Sequence, residues 1–105
     1  MTSDDVYAHT RTGSGGEHIV TVTGQVDVAT AAAFARLLDA AAADRTQLIA
    51  DLTGLGFLDS AGIRVLFALA ARLDLHLIVD PSSVIATTLD ISGMGEAATL
   101  RATSP

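Results

Sequence analysis

The chain contains no cysteine, which excludes a disulfide framework and thiolate chemistry and agrees with a cytoplasmic protein. Aromatic residues are scarce, at 4%. No apolar stretch reaches the roughly 18–20 uninterrupted residues of a membrane span, because Arg64, Arg72 and Asp74 punctuate the longest one. The opening "MTSDDVYAHT" is acidic and lacks the basic-then-apolar layout of a secretory signal. Basic residues are few as well. With 6 of them against 12 acids and a formal net charge of −6, the composition argues against direct binding of nucleic acid through its phosphates and suits a basic protein surface as partner. No cluster of histidines and acids has ligand spacing, so neither a metal nor a cofactor is expected.

What is present is a core. At 105 residues, half of them hydrophobic, the chain has the size of one domain over 1–105 and leaves no room for a second. "VYAHTR" reads as a first strand, and the glycine-dense "TGSGGE" turns the chain back into "HIVTVTGQV", where Val20 and Val22 face one way and Thr21 and Thr23 the other. That is an opening hairpin with its second strand over 18–24. Thr30 stands at a helix-cap position ahead of Phe34, Leu37, Leu38 and Ala41, whose spacing predicts a helix over 30–43. "QLIADL" is short and apolar throughout, as a central strand near 48–52 buried on both faces would be. After a loop "TGLGFLD", the stripe Ile63, Leu66, Phe67, Ala70 and Leu73 predicts a largely buried helix over 60–73. "LHLIV" is a strand near 75–79. "DPSSVIATTLDISG" is a third helix near 82–92, opening at Pro81 or Ser82, with Val84, Ile85, Thr88 and Leu89 inward and Gly93 as its stop. A short strand around 99–102 ends the pattern. Strands alternating with helices behind a hairpin give an α/β domain with a mixed, mostly parallel sheet.

One feature interrupts the apolar run "GFLDSAGIRVL": an acid and a hydroxyl, Asp59 and Ser60, where strand hands over to helix. A serine there invites comparison with a hydrolase nucleophile elbow, which needs small residues two before and two after it. Gly62 satisfies the second position and Leu58 violates the first, and no spacing recommends His9, His18 or His76 as the base. A plainer role for Ser60 is that of N-cap, worth about 1 kcal/mol, with Asp59 stabilised by the positive end of the helix. Neither role accounts for the glycines and large apolar residues of "GLGFL", which suit an exposed contact surface or a staple to the core.

The stretch "LIADLTGLGFLDSAGIRVLFAL" strongly resembles the signature of the STAS domain of bacterial anti-sigma factor antagonists, and "VTVTGQVDVATA" resembles the family's other marker. Together they cover most of residues 18–93. The resemblance implies a single STAS-like fold and a binding module that is not itself an enzyme. It implies phosphorylation of Ser60 by an anti-sigma factor that is also a serine kinase, reversal by a serine phosphatase, and release of the sigma factor while the unmodified chain holds the kinase. Carried over by position, the partner-binding residues are Asp27, Thr30, Leu58, Asp59, Ser60 and Gly62. Gln25 departs from the glutamate common in the family, the link before "LHLIV" lacks the usual glycine, and the C-terminus is short for the last helix many members carry. The resemblance also admits a STAS subunit of a stressosome-type or transporter-associated complex.

Overall fold

The computed structural model describes residues 5–103. Strand β1 (Val6–Thr12) turns through "GSGGE" into β2 (His18–Val26), and the two pair antiparallel from Thr12 opposite His18 to Val6 opposite Gly24. Helix α1 (Ala31–Ala42) then leads to β3 (Gln47–Leu58), helix α2 (Ser60–Ala70) to β4 (Asp74–Val79), and helices α3 (Val84–Ile91) and α4 (Met94–Ala97) to β5 (Thr99–Ala102). Every pairing after the hairpin is parallel, and the sheet order is β1-β2-β3-β4-β5. The sheet is therefore mixed with "QLIADL" at its centre, as the sequence pattern predicts. The expected domain limits of 1–105 reach beyond the described residues at both ends.

Because strand order never reverses, right-handed crossovers carry all the helices onto one face of the sheet. Alternation then sorts the strands' side chains. Val20, Val22, Val26, Leu48, Ala50, Leu52, Leu75 and Leu77 point into one core with Phe34, Leu38, Leu66, Leu69, Ile85, Leu89 and Met94. The opposite face carries Ile19 and Ile49, both buried, under a polar lattice. There Arg11 lies 3.7 Å from Asp51, and Arg101 donates to His76 Nδ1 at 3.1 Å, so His76 donates from Nε2 to Asp74 at 3.1 Å. The Gln47 amide, chiefly, and then His76 hold the Asp74 carboxyl below the usual carboxylate range.

Several expectations are corrected. "TGLGFL" is not a loop: β3 runs unbroken to Leu58, with two register shifts against β2, one between Thr21 and Thr23 and one between Gly24 and Gln25. Each shift adds a residue on β3, the geometry of a β-bulge. Helix α2 ends at Ala70 rather than 73, since a turn from Ala71 precedes β4. Helix α3 begins at Val84, not Pro81 or Ser82, because the Ser83 hydroxyl accepts from Ala86 N at 3.1 Å and caps it there. Ile85 and Leu89 are its buried residues, whereas Val84, on the first turn, is 80% exposed. Gly93 stops α3 with a left-handed φ of 85°, which suits glycine, and passes the chain to α4, too short to leave a periodic signal.

Candidate functional site

The ends of β2 and β3 stand level, with Val26 opposite Leu58. The Asp59 amide donates to Val26 O at 3.1 Å, so the first residue beyond β3 is tied to the last residue of β2. That bond leaves Asp59 extended, at φ −108° and ψ −170°, and its Oδ1 accepts from Ala61 N at 2.9 Å. Asp59, not Ser60, is therefore the N-cap of α2, and the simple cap expected of Ser60 is corrected. Ser60 becomes the first helical residue, exposed and relieved of the capping task.

The matching corner of β2 follows the same logic. Asp27 Oδ1 accepts from Ala29 N at 2.8 Å and Thr30 N at 3.1 Å, and the Asp27 carbonyl accepts from Ala31 N at 2.8 Å. Thr30 occupies the N-cap position of α1 but makes no side-chain cap bond to the helix. Its hydroxyl instead donates to Gln25 O at 2.8 Å and accepts from Asp27 N at 3.0 Å, fastening the corner from beneath. Two aspartates, one residue past a paired Val26 and Leu58, thus hold the turn into α1 and the start of α2 at the same end of the sheet.

The edge is not composed as the sequence suggests. Asp27, Asp59 and Ser60 come together, but Thr30, Leu58 and Gly62 lie beneath the surface rather than forming its rim. Gly62 is fixed by packing: a Cβ there would meet Leu58 Cδ1 and come within 2.6 Å of Val26 Cγ1. The first turn of α2 can seat on the strand ends only without a side chain at that position. In place of the buried three, Val28 and Phe57 provide the exposed apolar surface of this edge, at 82% and 47% exposure. Both were open to detection, since Val28 stands between two turn residues and Phe57 alternates out of phase with Leu58.

A hydrolase constellation is not assembled. His76 pairs with Ile49, His9 stands opposite Thr21 and so at the level of Asp51, and His18 opens β2 at its far end. Even the level of Asp51 is separated from Leu58 by roughly 20 Å of strand, so none of the three reaches the Ser60 hydroxyl as a base. Among the described residues no group of three or more acids and histidines could hold a metal ion, and no helix is long and apolar enough to cross a membrane.

Residues 8–104 match the family model of the STAS domain, which takes in both strand ends, both aspartates and Ser60. The chain is a STAS domain. No curated protein matches it. Among solved structures, the STAS domain described here is similar to the crystal structure of an anti-sigma factor antagonist from Mycobacterium paratuberculosis. The TM-score is 0.81 and the identity 24%, with 95% of this chain and 88% of that chain covered. At that identity the likeness establishes the fold.

Proposed function

We propose that this STAS domain is an anti-sigma factor antagonist whose binding to an anti-sigma serine kinase is switched by phosphorylation of Ser60. The observation that carries the reading is the exposed Ser60 hydroxyl, free of the cap and placed on a rigid helix start beside the Asp27 and Asp59 carboxylates. The likeness in fold to an anti-sigma factor antagonist supports the choice of partner. Unmodified, the edge offers Val28 and Phe57 to a partner and holds the sigma factor's inhibitor away from the sigma factor. In the switching step Ser60 Oγ attacks the γ-phosphorus of a nucleoside triphosphate held by the kinase. The bond to the β-phosphate breaks, the diphosphate leaves, and the hydroxyl proton passes to a base of the kinase. A phosphatase reverses the step by directing water at phosphorus, which restores the hydroxyl and releases inorganic phosphate. The phosphate adds about −1.5 to −2 charges next to Asp59, and an apolar contact cannot desolvate that charge cheaply. Binding ends while the fold stays intact. The partners imply a cytoplasmic setting and no catalysis by the domain itself.

Calorimetric titration of the unmodified chain, Ser60→Ala and Ser60→Asp against the kinase with nucleotide present tests the reading. Ser60→Ala should bind like the unmodified chain and resist phosphorylation, and Ser60→Asp should bind more weakly. Equal affinities for the two variants would remove Ser60 from the switched surface.

A further inference from the structure

We infer that phosphorylated Ser60 is held by Arg64 of the same helix, so that the modification both adds a dianion and fixes a neighbouring side chain. The inference rests on the reading of Ser60 as phosphoacceptor. Ser60 is the first residue of α2 and Arg64 lies one turn on; both are exposed. Residues four apart on a helix are surface neighbours, and long helical side chains lean toward the N-terminus, which carries the Arg64 guanidinium back over the turn that Ser60 begins.

Arg64 stands beside open space. It lines a groove of about 420 Å³ between α1 and α2 together with Ala35, Ala61 and Val65. Asp39, the acid of the same groove, is already paired with Arg72. Among the described residues the ion pairs are those of Arg11, Arg72 and His76, so Arg64 enters with its charge uncommitted. The Ala61 amide does not compete for the phosphate, because it already donates to Asp59 Oδ1. The planar guanidinium can meet phosphate oxygens with two parallel bonds, which a lysine ammonium cannot. Phosphorylation then changes the docking edge twice over: it places negative charge beside Val28 and Phe57, and it draws Arg64 away from any acidic group a partner offers along α2.

The test uses chain in which phosphoserine is installed at position 60 during synthesis, so that no kinase is needed. The second ionisation of the phosphate is followed by phosphorus NMR in the parent, Arg64→Lys and Arg64→Gln. A cation held against the phosphate favours the dianion. Arg64→Gln should raise the titration midpoint by about half a pH unit, roughly threefold in acid dissociation constant, with Arg64→Lys in between. The unmodified variants should melt with the parent, since Arg64 is exposed and makes no ion pair among the described residues. Identical midpoints for the parent and Arg64→Gln would overturn the inference. Failure of an anti-sigma kinase to bind or modify the unmodified chain would instead remove the reading of Ser60, and the titration distinguishes the two because its phosphate is installed without that kinase.

Discussion

The backbone of Asp59 is bonded to that of Val26, amide to carbonyl at 3.1 Å, and this one contact sets the height of the serine above the sheet. It holds Asp59 in the extended geometry of a cap and makes the next residue helical. Division of labour follows: the aspartate carries the structural task and leaves the hydroxyl free for chemistry.

Stability measurements on the pair should show that division. Asp59→Ala removes the acceptor of Ala61 N and should cost about 1 kcal/mol in urea unfolding. Ser60→Ala should change stability by no more than about 0.5 kcal/mol, because the exposed hydroxyl caps nothing and alanine favours the helix. The opposite ranking would return the cap to Ser60.

Two glycines on helices should respond in opposite directions to the same substitution. Gly62→Ala drives a methyl group into Leu58 and Val26 and should destabilise by about 1–3 kcal/mol, as overpacking does. Gly95→Ala meets nothing closer than Leu100 Cδ1 at 3.8 Å and should be neutral or stabilising. Chemical denaturation of both against the parent is sufficient.

The apolar edge can be separated from the fold. Val28→Ser with Phe57→Ser alters two exposed residues and should leave the melting temperature close to the parent's. Affinity for the proposed anti-sigma partner should fall by about tenfold or more if these side chains anchor the contact. Unchanged affinity would move the docking surface away from this edge.

Much of this architecture is written in local patterns. Alternation in "HIVTVTGQV" and the stripe from Ile63 to Ala70 locate β2 and α2 because each pattern comes from one buried face. The second half of β3 is not written that way. Its buried residues, Leu52, Leu55 and Leu58, recur every third position, a rhythm of neither strand nor surface helix, because a bulge falls between each pair. The adjacent Asp59 and Ser60 were ambiguous for a different reason: both residue types cap helices well, and only the bond to Val26, distant in sequence, decides between them. Thr30 misleads similarly, since its hydroxyl is claimed by Gln25 O and Asp27 N rather than by the helix it precedes.

Acid should expose the polar lattice on the helix-free face. Gln47 and His76 favour the carboxylate of Asp74 in the folded state, below its ordinary value of 3.8. The unfolded chain therefore takes up the proton first as pH falls. Stabilisation is fully present above the unfolded value and is lost as pH drops through the lower folded one. Asp74→Asn should melt below the parent near neutral pH, and the gap should close on acidification. A gap independent of pH would mean that the carboxylate charge contributes nothing there.

The two register shifts between β2 and β3 are slack in the segment that delivers the serine. Each takes up one surplus residue of β3, so that Leu52, Leu55 and Leu58 all face the core at a spacing a regular strand would not allow. Loss of one residue at either shift would restore simple alternation there and keep Leu58 opposite Val26, and loss of one at each would leave β3 a regular strand beside β2. A third loss would find no surplus to draw on, turning Leu58 toward solvent and pulling α2 off its seat. The stretch ahead of Ser60 can therefore shorten only as far as its two spare residues reach.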